Sequence, residues 1–462
     1  MKSLINTLLI PLSLLASFSQ ASCLSGDEVA ANSETALMLQ TSYMTRTASP
    51  WRTAGESAYT PTNAFQDAGI KFSSKCAVIE NRLDIDFSLY GLAYYAWHLP
   101  GSFEEDQQRS RVLLNRLQLS YTLSDQLRLE AGKLTATPGL FFLKSPAALM
   151  SNYYAGFKST RIYDPAMRSS YSESSWGARL VDNHRDYSLA FTVAPQLATI
   201  NQRYETSSHW SANRRGNAQA RYLLSYTDYR LVNHTPALSL LLGDKRSLAL
   251  SDSFSYTPAL TFNGEVALHN AQQWRLFSPE RGAEVVDYQF PSSLYRADRK
   301  PGVEVALGAQ YTTRDFAVLG LEYYFQSEGY SDSEWQQQAQ LSRYLNRASQ
   351  SALLDQIFDA YKYLMGAEIG NVANKGQLQG KHYLSAYGSF RSEKGATLQP
   401  YITMNMRDNS ALLGLHLSTP LASFDDSLNV YAGGWAGLGK QDTEFAFFGK
   451  TVGFYLGLNY LL

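Results

Sequence analysis

Asp84 and Asp86 stand two residues apart, and His98 falls on the same parity of one alternating stretch. An acidic pair with a histidine is equipment for activating water. The spacing argues against that use, because His98 lies about fourteen residues from Asp84 in a chain that advances about 3.3 Å per residue when extended. Nothing else makes a better catalytic case. The seven histidines are scattered, without an H-x-x-x-H pair or a cysteine cluster for a metal, and G-x-S-x-G is absent. The expectation is therefore no enzyme, no metal and no cofactor.

Charge placement is more informative than any dyad. Arg82, Asp84, Asp86, Arg116, Arg128, Glu130, Arg179, Arg221, Glu265, Glu304 and Glu322 each fall on one parity of a segment whose other parity is apolar. Fixed charges of both signs facing a shared, water-filled interior select solutes by charge and size. Closely opposed pairs such as Arg116 and Glu130 would also brace the wall that carries them.

The elements that must hold these residues are long strands. From Leu83 to Leu99, the residues Leu83, Ile85, Phe87, Leu89, Gly91, Ala93, Tyr95, Trp97 and Leu99 occupy one parity. Alternation this long puts two faces in two different solvents, and it exceeds the usual soluble strand of about five or six residues. Hairpins follow around Ser124-Asp125-Gln126, around Asp182 to Asp186, and between Val303 and Phe325 around Thr313-Arg314-Asp315. Short turns near 124–126, 182–186, 227–229, 257–259, 312–315 and 392–395 alternate with long polar segments near 135–174, 195–216, 269–301 and 327–379. That is the rhythm of a transmembrane antiparallel β-barrel, with short periplasmic turns and long extracellular loops.

Sixteen strands can be counted from Leu83, and Ala36–Met44 with Gly69–Ser74 would raise the number to eighteen. Otherwise residues 22–78 form a periplasmic or lumenal segment ahead of a barrel over 79–462. The chain is rich in Tyr (31) and Gly (31), as a wall between lipid and water requires. A net charge of −1 argues against a nucleic-acid partner.

Met1-Lys2, the apolar stretch Leu4 to Leu15 and the small residues before Ala21 read as a signal peptide over 1–21. Cys23 and Cys76 are the two cysteines. In an oxidising compartment they favour one disulfide over acylation of Cys23, since Gln20 fits a lipoprotein signal poorly.

Two segments depart from the strand pattern. Ser331 to Met365 changes to a period of about 3.6, with a capping box at Ser331 and Glu334 and a stop at Gly366, which predicts a helical insertion in the longest extracellular loop. Pro138 to Tyr154, running on to Arg161, Asp164 and Arg168, is too apolar for a fully solvated loop. It folds inward as a constriction or packs on neighbouring loops outside.

The chain ends on Val452, Phe454, Leu456, Leu458, Tyr460 and Leu462 at one parity, which resembles the C-terminal strand that outer-membrane proteins present for assembly, with Leu462 where Phe is commoner. With the signal peptide and the hairpin Leu127-Arg128-Leu129-Glu130-Ala131-Gly132-Lys133 leading to Thr137-Pro138, the chain resembles Gram-negative porins, and more weakly the OprD-type substrate-specific porins. The resemblance implies passage of small organic solutes past basic residues, of which Arg128 is the one carried over. It also implies outer-membrane lipid and lipopolysaccharide as surroundings, the barrel-assembly machinery as a partner, and a homo-oligomer as one state. A polysaccharide export barrel, an outer-membrane enzyme and an adhesin are the competing classes.

Overall fold

A wide sheet that stayed open would leave a row of unpaired amides at each edge, and this chain removes both edges by closing on itself. The computed structural model describes residues 26–47, 49–50, 64–96, 110–134, 139–150, 175–197, 217, 219–297, 300–374, 378–421, 427–447 and 449–462. A short helix, α1 (Gly26–Ala31), leads into β1 (Ser33–Arg46), β2 (Ala64–Ile79), β3 (Leu83–Ala96), β4 (Ser110–Thr122), β5 (Leu127–Leu134) and β6 (Ser175–Asn183). Then come β7 (Tyr187–Ala194), β8 (Arg221–Asp228), β9 (Ala237–Gly243), β10 (Ser247–Ser255) and β11 (Leu260–His269). A small hairpin of β12 (Leu276–Phe277) and β13 (Tyr295–Arg296) flanks α2 (Pro279–Val286). After β14 (Gly302–Thr312) and β15 (Val318–Gln326) the wall pauses for α3 (Asp332–Leu345) and α4 (Ala352–Asn374). It finishes with β16 (His382–Arg391), β17 (Thr397–Asn405), β18 (Ser410–Pro420), β19 (Leu428–Leu438) and β20 (Lys450–Leu461).

Apart from β12 and β13, each strand pairs antiparallel with its sequence neighbours, and β20 pairs with β1, with Leu456 opposite Thr41, to close an 18-stranded barrel. This is the larger of the two counts read from the sequence: sixteen strands follow from Leu83, and the two weaker candidates are the full-length strands β1 and β2. Connections at 80–82, 123–126, 184–186, 229–236, 256–259, 313–317 and 392–396 gather at one rim, with the strand ends at Pro420 and Leu428. The strand ends that the long connections join lie at the other.

Register assigns the two solvents. Leu39, Leu129, Leu180, Phe191, Leu250, Leu307, Leu321 and Leu456 stand exposed on the outer face, where water is replaced by hydrocarbon in a membrane. Gln40, Asp67, Ser120, Glu130, Thr192, Ser385 and Thr403 turn inward and are buried. Inward glycines on β15, β18, β19 and β20 stand opposite inward tyrosines of a neighbouring strand, so that a ring lies over each glycine. Tyr387 covers Gly320, Tyr401 covers Gly414, Tyr455 covers Gly433 and Tyr431 covers Gly457.

The long loops build a cap with its own core. Trp274, Phe277, Val285, Tyr295, Tyr330, Trp335, Leu341, Leu345, Phe358, Met365, Ile369 and Phe447 pack together above the barrel mouth. The capping box at Ser331 and Glu334 is present as read from the sequence. The single helix expected over 331–365 is instead two helices, α3 and α4, broken at 346–351. Gly366 does not stop α4, because Met365 and Ile369 on either side are buried in the cap core and that packing outweighs glycine's weak helix propensity.

Candidate functional site

The barrel interior is narrowed by residues 139–150, which lie against the inward faces of β11, β14 and β15. A loop that leaves water must find partners for its amides, and here two wall carboxylates supply them. Glu265 on β11 accepts from the Leu140 and Ala147 amides, both at 2.8 Å. Glu322 on β15 accepts from the Phe142 and Leu143 amides at 2.7 and 2.8 Å. The loop closes on itself through the Phe141 amide and Ser145 Oγ at 2.8 Å. Its apolar residues then pack on the wall: Phe142 stacks on Tyr387 with centroids 4.6 Å apart, and Leu143 joins Tyr324, Tyr383 and Tyr401.

Lys144 rides on this clamp. Its Nζ lies 3.3 Å from Glu304 Oε1 on β14 and 5.3 Å from the centre of the Tyr324 ring. Glu304 also stands 3.7 Å from His269 Nε2, and His269 Nδ1 bonds Ser247 Oγ at 2.7 Å. Ser, His and Glu in this order invite comparison with a nucleophile triad. The arrangement does not support one: Ser247 and His269 are buried, Nε2 has no hydrogen-bond partner, and Glu304 serves Lys144.

Across the interior, the wall of β3 to β8 carries a second group of charges. Asp86 pairs with Arg116 at 2.8 Å, and Glu130 takes Arg179 Nε at 2.6 Å. Arg128, whose side chain is half exposed, stands 3.9 Å from Glu130. Asp84 faces Ser120 across β3 and β4, and Arg221 Nη2 reaches Ser175 Oγ at 2.5 Å.

The sequence-derived candidates thus divide by location. Asp84, Asp86, Arg116, Arg128, Glu130, Arg179 and Arg221 share the inward face of β3 to β8. Arg82 sits in the exposed turn between β2 and β3, at the rim. Glu304 and Glu322 are inward but covered by the loop, where they hold it. Arg116 pairs with Asp86, and Arg179 is the partner of Glu130. Arg161, Asp164, Arg168, His98, Cys23 and the segment 1–21 lie outside the described residues, while Cys76 is disulfide-bonded. Lys144 was not singled out from sequence; its signal is a lone cation between Leu143 and Ser145 in an otherwise apolar run.

Above the constriction, the cap is braced within itself and against the wall. Gln326 Nε2 donates to the Gly380 carbonyl at 2.7 Å, Arg275 makes a bidentate pair with Glu368 at 2.9 and 2.7 Å, and the Arg407 guanidinium lies 4.8 Å from the Trp335 ring. Glu444, in the 3-10 turn Glu444–Ala446, accepts from Tyr383 Oη at 2.5 Å, Asn405 Nδ2 at 2.6 Å and the Gln379 amide at 2.9 Å. Burial nevertheless pushes its carboxyl up to about 7. Glu328, beyond the end of β15, is pushed to about 7 by the same cause.

No family model matches the chain, and no curated protein does. Solved structures do match. Pseudomonas aeruginosa OccK5 (OpdH) and OccK8 (OprE) each superpose at a TM-score of 0.50 with 10% identity, covering 94% of this chain and 98% of theirs. The outer membrane protein opdK of the same organism gives 0.50 and 10%, covering 94% of this chain and 99% of its own. The chain has the barrel fold of these OprD-type outer-membrane proteins.

Proposed function

We propose that this protein is an outer-membrane channel through which small polar solutes diffuse past the 139–150 constriction. The inward loop clamped by Glu265 and Glu322 carries this reading, since a barrel built only as a wall has no use for a narrowing held in place by buried carboxylates. The passage runs between that loop and the face bearing Asp84, Asp86, Arg116, Arg128, Glu130, Arg179 and Arg221. Both signs of charge line it, so it discriminates by their arrangement rather than by a single net field. Arg128 is the most solvated of these cations and lies toward the short-turn rim. The fold shared with OccK5, OccK8 and opdK supports the same reading.

Planar-bilayer recording of purified protein tests it. Stepwise conductance is expected, with Arg116→Gln and Arg128→Gln shifting selectivity toward cations and Asp86→Asn shifting it toward anions. Silence from both the intact protein and a variant lacking 331–365 would return the argument to an enzyme or an adhesin.

A further inference from the structure

The apolar belt on the outer wall is interrupted at Gly264. This residue faces outward on β11, directly between Asp252 on β10 and Leu307 on β14. Without a side chain there, a groove of about 530 Å³ opens, lined by Leu238, Leu250, Val266, Val305 and Leu307. Its end nearer the short turns is polar, edged by Tyr226, Asp228 and Asp252. Asp252 occupies an outward position between Leu250 and Phe254, where a carboxylate is disfavoured unless something there uses it.

Each carboxylate at that end holds a cationic or titratable partner in place. Asp252 takes His234 Nδ1 at 2.8 Å and the Thr235 amide at 3.0 Å, while the imidazole stacks on Phe254 with centroids 4.4 Å apart. Asp228 takes Arg230 Nε at 3.0 Å and Nη2 at 2.5 Å. These bonds leave Arg230 Nη1 as a donor on an exposed side chain beside the groove. An apolar channel ending at a held guanidinium matches an amphiphile with an acyl chain and an anionic head, and guanidinium is the group best suited to phosphate.

We propose that this groove binds one glycerophospholipid of the periplasmic leaflet. An acyl chain lies over Gly264 between Leu250 and Leu307, and Arg230 meets the phosphate. The site rests on the membrane reading above but not on conduction, so the two fail separately. A silent pore that retains lipid leaves this proposal standing.

The test is native mass spectrometry of the full chain in mild detergent, titrated with phosphatidylglycerol and with diacylglycerol of the same chains. One phospholipid should remain per barrel, and diacylglycerol should not. Gly264→Leu fills the groove without disturbing the wall, because a Cβ there meets Leu307 at an ordinary 3.7 Å. That variant, and Arg230→Gln, should each weaken retention by about tenfold or more, the scale of one lost charge-assisted bond or buried chain. Heat-modifiable gel mobility confirms that each variant is folded. Equal retention by wild type and folded variants, equal retention of diacylglycerol, or an oligomer dissociated by Gly264→Leu would each overturn the site.

Discussion

Glu322 Oε2 accepts the Leu143 amide at 2.8 Å across 179 residues of chain, and its other oxygen accepts the amide of Phe142. A carboxylate offers acceptors alone, so it can satisfy two neighbouring N–H groups that an amide side chain cannot. Glu322→Gln turns a donor toward one of them, at a cost of about 1–3 kcal/mol to the docked loop. Single-channel recording should show larger or noisier steps for Glu322→Gln and for Glu265→Gln. Unchanged conductance in both would mean that 139–150 does not set the width of the passage.

The flat packing of rings on glycines makes a second expectation specific to position. A Cβ at Gly414 would lie 2.0 Å from Tyr401 Cζ, whereas one at Gly264 meets only Leu307 Cδ2, at an ordinary 3.7 Å. Gly414→Ala should destabilise the barrel by about 1–3 kcal/mol through overpacking, and Gly264→Ala should be close to neutral. The midpoint of the heat-dependent gel shift reads both. Equal midpoints would show that Tyr401 moves aside freely.

Much of the wall was legible because its cause is local. Period-two alternation in Leu83 to Leu99, or from Val303 to Phe325, reports two solvents residue by residue, and turns such as Thr313-Arg314-Asp315 mark each reversal. Partners across the barrel are a different matter. That Glu265 and Glu322 point inward follows from parity, but that they grip 140–147 depends on a loop more than a hundred residues earlier folding back onto them. The same limit applies to α4, whose passage through Gly366 is decided by cap residues distant in sequence.

The Asp86 and Arg116 pair separates bracing from selectivity. They lie 2.8 Å apart with both side chains partly open to the interior. Asp86→Asn leaves Arg116 without its counter-charge and should raise anion preference, and Arg116→Gln should do the reverse, each effect shrinking as salt rises. The double variant should return reversal potentials toward those of the wild type. If neither single change moves the reversal potential while both lower the gel-shift midpoint, the pair is a brace.

The cap should respond to pH through Glu444. Its carboxyl is fully enclosed among Tyr383, Asn405 and the Gln379 amide, with Asp408 nearby adding repulsion, and burial raises it from 4.5 to about 7. A carboxyl raised on folding binds its proton more tightly in the docked cap than in the opened one. The stabilisation is therefore complete below about pH 4.5 and is lost as pH rises through about 7, a difference of about 3 kcal/mol. Glu328 is raised to about 7 by burial and adds to the effect with the same sign. Hydrogen exchange across α3 and α4 should thus be slower at pH 5.5 than at pH 8 after correction for the intrinsic rate. Glu444→Gln, which stays neutral at both, should remove about half of that difference, with Glu328 supplying the rest, while keeping an acceptor for the Gln379 amide. Greater protection at pH 8 in the wild type would mean that the three hydrogen bonds to Glu444 outweigh its burial, and that the cap is held by a buried carboxylate instead of a buried acid.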